Sequence, residues 1–100
     1  MLMHEFELML VVRPDLTEQS VKQVIEKAEK YICRVGGKVS KAENWGLKRI
    51  AYEINGFDKA YYMLIMYSAP YASSKSLQEI IKEDKDILHH MIIHKQREEE

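Results

Sequence analysis

The chain has 100 residues, which is room for one domain and one hydrophobic core. Apolar residues make up 46% and charged residues 31% of it, and 15 basic against 16 acidic side chains leave a formal charge of -1. That composition is a soluble globular one. It excludes the strongly basic footprint of a generic nucleic-acid binder, and no apolar run approaches the ~20 residues of a membrane span. It does not exclude a local basic surface.

The first periodic segment is Phe6-Glu7-Leu8-Met9-Leu10-Val11-Val12. Phe6, Leu8, Leu10 and Val12 share one face at period two, and Glu7, Met9 and Val11 form a mixed second face. The pattern predicts a central strand, buried on one side and partly covered on the other. Arg13-Pro14-Asp15 stops it, since proline lacks an amide donor and restricts its predecessor. Thr17 is a candidate N-cap, and Glu18 suits a first helical turn. Val21, Val24, Ile25, Ala28, Tyr31 and Ile32 then recur at helical spacing. Gly36-Gly37 ends that helix. Cys33, the single cysteine, reads as a small apolar filler rather than a nucleophile, and rules out an intramolecular disulfide.

Lys38 to Asn55 reads as a second strand, interrupted near Trp45-Gly46, where glycine marks a bulge or bend. Asn55-Gly56 predicts a hairpin turn, with Asp58 extending the loop. Ala60 to Tyr67 is rich in β-forming residues and pairs back antiparallel, and Pro70 closes it. Ser73 and Ser74 offer caps for a short helix defined by Leu77, Ile80 and Ile81. Asp84-Lys85-Asp86 is a polar break, and Ile87 to Lys95 is the last strand. Residues 96–100 (Gln-Arg-Glu-Glu-Glu) read as a charged, flexible tail, which leaves 1–95 as one domain.

The order β-α-β-β-α-β is that of the α+β ferredoxin-like sandwich. It predicts a four-stranded antiparallel sheet in the order 4-1-3-2 with two helices on one face. The other sheet face then lacks a helix, and its apolar residues meet a partner or solvent.

Chemistry is sparse. His90 and His94 on a strand stand about 13 Å apart, at ~3.3 Å per residue, which is too far for one ion, and His89 faces the other way. There is no Walker sequence, no G-x-G-x-x-G and no nucleophile elbow. Acylphosphatase has the same element order and uses an arginine in a glycine-rich loop after its first strand; here that loop is Arg13-Pro14-Asp15-Leu16, without glycine. Lys59-Ala60-Tyr61-Tyr62-Met63-Leu64 is a loose echo of the RNA-recognition motif's third strand, but its two small-residue positions hold Ala60 and Tyr62, and Tyr61 and Tyr67 share parity with Met63 and Ile65. No catalytic residue, metal or cofactor is predicted.

The stretch Trp45-Gly46-Leu47-Lys48-Arg49-Ile50-Ala51-Tyr52-Glu53-Ile54 carries more information. It resembles the signature of the bacterial small-subunit ribosomal protein family numbered six. Gly46, Lys48, Arg49, Ala51, Tyr52 and Ile54 match, and Ile50 replaces the usual leucine. The likeness extends through His4–Asp15, Lys59–Tyr62 and Asp86–Ile93, roughly residues 4 to 95. The family often has arginine where His89 stands, and a mostly neutral histidine weakens an implied phosphate contact there.

The resemblance implies a structural and assembly protein in the platform of the small ribosomal subunit, and no enzyme. It implies two partners, small-subunit (16S) ribosomal RNA and the small-subunit protein numbered eighteen, which is basic and supplies much of the phosphate neutralisation. No membrane or small-molecule substrate is expected, and the place is the cytoplasmic small subunit or its organellar counterpart. From the motif, Lys48 and Arg49 are the candidate RNA or partner contacts. Gly46 permits the bend, and Trp45 covers it or meets a partner. His89, His94 and Lys95 are further candidates near the sheet edge. Ala51, Tyr52 and Ile54 are expected to be architectural.

Overall fold

A computed structural model describes residues 2–95. The elements are β1 (Met3–Val12), α1 (Glu18–Arg34), β2 (Lys38–Ile54), β3 (Phe57–Pro70), α2 (Ser73–Lys82) and β4 (Ile87–Lys95). One antiparallel sheet has the order β2-β3-β1-β4, which is the expected order read from the other edge. The predicted tail at 96–100 lies outside the described residues.

The period-two face of β1 goes where it should. Phe6, Leu8, Leu10 and Val12 are buried under the helices, beside Met63, Ile65, Tyr67 and Ala69 of β3. Val21, Val24, Ala28 and Ile32 of α1 close over them, with Leu77 and Ile81 of α2. Each such fully buried aliphatic side chain contributes about 1.5–3 kcal/mol against exposure. Phe6 and Tyr67 stack at 5.3 Å. Burial alone pushes the Tyr67 phenol up to about 12.

The ends of α1 follow local rules. The Ser20 backbone N–H donates to Thr17 Oγ1 at 3.1 Å, which makes Thr17 the cap. At the other end Gly36 takes φ +89°, its N–H donates to the Cys33 carbonyl, and the Gly37 N–H donates to the Ile32 carbonyl. That is a Schellman stop, with glycine at the left-handed position.

Three local expectations need correction. Cys33 is exposed, because it falls off the buried stripe formed by Ala28 and Ile32. Neither Ser73 nor Ser74 caps α2: Ala72 is the N-cap without a side-chain bond, and Ser73 is already helical and buried. Asp58 is no loop residue, since Asn55 and Gly56 alone make the turn and β3 starts at Phe57. Both turn residues have positive φ, 52° and 85°, as a two-residue turn matched to strand twist requires. The break Asp84-Lys85-Asp86 falls where expected, between α2 and β4, and is also a structural tie. Lys27 Nζ of α1 lies 2.9 Å from Asp84 and 3.2 Å from Asp86, and Tyr31 donates to Asp84 at 2.8 Å.

Candidate nucleic-acid and partner interface

The β2–β3 hairpin is built to bend. Pairing slips between Asn44 and Gly46, leaving Trp45 as the extra residue. Gly46 sits at φ +88°, and its N–H donates to Asn44 Oδ1 at 2.8 Å. Trp45 Nε1 donates to Glu43 Oε1 at 2.8 Å, and Lys41 pairs with the same carboxylate at 3.0 Å. These bonds hold Glu43 ionised below its usual range, the bond from Trp45 foremost. The bend expected at Trp45-Gly46 is therefore a glycine-assisted bulge with a fixed indole, 44% exposed.

Past the bulge, Lys48 stands opposite Ala60 and Arg49 opposite Lys59. Consecutive strand residues point to opposite sides, so Lys48 shares the uncovered face with Ala60 while Arg49 and Lys59 look the other way. Both motif cations are exposed. A further slip then places Ile50 to Glu53 against Asp58 alone. Ile50 turns inward and packs with Val11 and Ala60, joined by half-buried Ile54, Tyr62 and Leu88. Ile54 is architectural, as expected. Ala51 and Tyr52 are not: both are exposed, Tyr52 at 75%. The local irregularity, invisible to a period-two reading, throws them outward.

The uncovered sheet face has a readable grid. Gly46, Tyr62, Val11 and His89 form one transverse row. The next rows are Glu43, Leu64, Met9 and Met91, then Lys41, Met66, Glu7 and Ile93. Met91 and Ile93 are exposed, and among the described residues no helix covers this face. The centre is thus thioether and aliphatic, with Tyr62 alone of the β3 tyrosines turned toward it. Tyr61 and Tyr67 lie on the helix side. An RNA-recognition motif stacks two or three bases on aromatics in the middle of this face, and here Tyr62 is the single tyrosine that β3 offers.

The predicted residues fall into two groups. His89 shares the row of Gly46, three strands away and about 14 Å at ~4.8 Å per strand. His94 and Lys95 lie at the opposite end of the sheet, beside the start of β1. Lys95 Nζ is 3.5 Å from Glu7. His94 points to the helix side, where its Nε2 lies 2.9 Å from His4 Nδ1. Among the described residues there is no cluster of three or more potential metal-ligating His, Cys, Asp or Glu side chains, and no helix is long and apolar enough to cross a membrane.

The ribosomal protein S6 family model matches residues 5–94. The chain belongs to the ribosomal protein S6 family. It is 35% identical over 91 residues to the small ribosomal subunit protein bS6 of Desulforamulus reducens, spanning 91% of this chain and 96% of that one. It is 33% identical over 90 residues to the bS6 protein of Exiguobacterium sibiricum, spanning 90% and 95%. The crystal structure of 30S ribosomal protein S6 from Thermotoga maritima superposes with a TM-score of 0.88 over 94% of this chain and 89% of that chain, at 24% identity, and so shares the fold. As an S6 family member, the chain is a structural protein of the small subunit of the cytoplasmic ribosome, acting in translation and not as an enzyme. The acylphosphatase comparison ends there.

Proposed function

We infer that this S6 family protein binds small-subunit 16S RNA in the platform jointly with the small-subunit protein numbered eighteen, and that the bent hairpin and the uncovered sheet face divide the work. The carrying observation is the hairpin itself. Lys48 on one face of the hairpin and Arg49 and Lys59 on the other occupy adjacent cross-strand rows, between exposed Trp45 and Tyr52 along β2. Cations interleaved with aromatic rings suit a phosphate backbone with unstacked bases. The apolar rows of Met9, Leu64, Met91 and Ile93 suit a protein partner instead.

On this reading Lys48 and Arg49 contact phosphate. Gly46 sets the angle of the tip, and Trp45 borders the two partners. His89 extends the contact along its row. His94 and Lys95, at the far end, are a secondary contact. Residues 1–95 act as one unit with 96–100 appended. The protein's net charge of -1 fits a shared interface in which the partner carries most of the positive charge.

The test is reconstitution. The protein, the basic partner and an RNA fragment of the platform junction are mixed singly, pairwise and together, and assembly is read by native gel. Joint binding predicts tight RNA association only when both proteins are present. Equal affinity for RNA without the partner sinks the joint reading.

A further inference from the structure

His4 is the second residue of β1 and His94 the last but one of β4, so two rings 90 positions apart in the chain are brought together by the sheet. His4 Nδ1 and His94 Nε2 are 2.9 Å apart. The rings are held from several sides. Tyr71 packs its ring 5.3 Å from His4 and 5.1 Å from His94, and Phe6 lies 5.0 Å from His94. His94 itself is exposed, so the pair faces water.

That spacing has a chemical meaning. Two imidazole nitrogens bound at about 2.0 Å to one ion stand about 2.8 Å apart at a right angle, and about 3.3 Å apart at the tetrahedral angle. The observed 2.9 Å is that of a ring-to-ring hydrogen bond, and it also lies close to the spacing of two neighbouring corners of a square, so the pair needs little translation to share one ion. Tetragonal nitrogen and oxygen ligation is the preference of Cu(II) and Ni(II), and imidazole suits both.

We propose that His4 and His94 form a two-histidine chelate for a divalent transition metal of tetragonal preference, Cu(II) or Ni(II), with water in the remaining positions. The ligating forms are the neutral imidazoles. In the metal-free pair one ring carries the proton that lies between the two nitrogens. On binding, that proton passes through solvent to the other nitrogen of the same ring, which frees both lone pairs for the ion with no change in ring charge. Sequence spacing hides the site because the ligands come from opposite ends of the chain. His94 also belongs to the proposed secondary contact, so the metal site is tested on the free protein, without RNA or partner.

Purified full chain is titrated with CuCl2 and NiCl2 at neutral pH, followed by tyrosine fluorescence and, for copper, by electron paramagnetic resonance. One equivalent of copper with superhyperfine lines from two imidazole nitrogens is expected. H4Q and H94Q should each weaken binding at least tenfold, since loss of a mere outer-shell partner already costs 10–100-fold. H90Q should bind as the parent does. Paramagnetic broadening in NMR spectra of the unaltered protein should centre on His4, Tyr71 and His94, which guards against a misfolded variant. Absence of binding, copper affinity that survives both H4Q and H94Q, or broadening centred on His89 and His90 overturns the proposal.

Discussion

Arg49 and Lys59 stand directly opposite one another across the β2–β3 hairpin. Like charges in that position destabilise a sheet. Among the described residues, neither makes an ion pair, and neither does the adjacent Lys48. A fold gains nothing from this arrangement by itself. An anionic partner between the two side chains converts the repulsion into binding.

RNA affinity should therefore respond to salt through these side chains. In the reconstituted complex, K48A/R49A should flatten the slope of log K against log salt by up to about 1.8 for two lost phosphate contacts. Filter binding across a salt series measures it. An unchanged slope removes both residues from the RNA surface. The stability of the free variant should be within about 0.5 kcal/mol of the parent, because both side chains are exposed.

Gly46 separates aiming from stability. A Cβ there meets nothing within 4 Å, so G46A costs only the left-handed backbone, about 1–2 kcal/mol. If the bulge re-aims to relieve that strain, the tip cations move with it. Urea unfolding should show the modest loss, while RNA affinity of the reconstituted complex falls by more than tenfold. Unaltered affinity at reduced stability disconnects the bend from binding.

Most of the fold was legible because it rests on local periodicity. The faces of β1 and α1, the Thr17 cap, the Asn55-Gly56 turn and the Trp45-Gly46 bulge all announce themselves within a few residues. What escaped depends on distant neighbours. The tie from Lys27 to Asp84 and the meeting of His4 with His94 join residues far apart in the chain. The exposure of Tyr52 escaped for another reason: an unequal hairpin slip breaks the alternation on which strand reading depends. The candidate site was visible as the motif cations, and strand alternation already divided Lys48 from Arg49 between the two sheet faces.

Gly36 and Gly37 look interchangeable in sequence, yet their roles differ. Gly36 is left-handed with ordinary space around it. A Cβ on Gly37 comes within 2.6 Å of Ile32 Cγ2 and 3.0 Å of the Ile32 and Ser68 carbonyl oxygens. G36N should recover part of the stability lost in G36A, because asparagine tolerates the left-handed region. G37A should cost about 1–3 kcal/mol through overpacking, and G37N no less. Equilibrium denaturation of the four variants distinguishes a conformational requirement from a steric one.

Asp84 should report on the helix–loop tie. Burial, the largest single influence, raises its pKa, but bonds from Lys27, Tyr31 and the Asp86 backbone together outweigh it and leave the carboxyl below its usual value. A depressed carboxyl stabilises the fold above the unfolded value, and that contribution is lost as pH falls through the folded one. With its side chain 5% exposed, D84A should cost about 1–3 kcal/mol at neutral pH. K27M should cost at least as much, since it leaves the buried Asp84 carboxylate without its cation. Acid unfolding of D84A should be correspondingly flatter below pH 4. Parallel acid curves for D84A and the parent contradict the tie.

His90 sets a second, milder acid window. It lies on the helix side of β4, opposite Leu10, and burial first, then the neighbouring His89 and Lys82, pushes its pKa down. The unfolded chain then takes up the proton before the folded one does. Stability is complete above the ordinary histidine value near 6.5 and declines as pH falls toward 5. H90Q removes the titrating group, so its thermal midpoint should vary less than the parent's between pH 7.5 and pH 5. H89Q, at an exposed position, should keep most of the parent's dependence, although relief of the charge beside His90 shifts it slightly toward neutrality. Matched thermal scans at both pH values decide the matter: equal pH dependence in H90Q and the parent places the titrating group elsewhere.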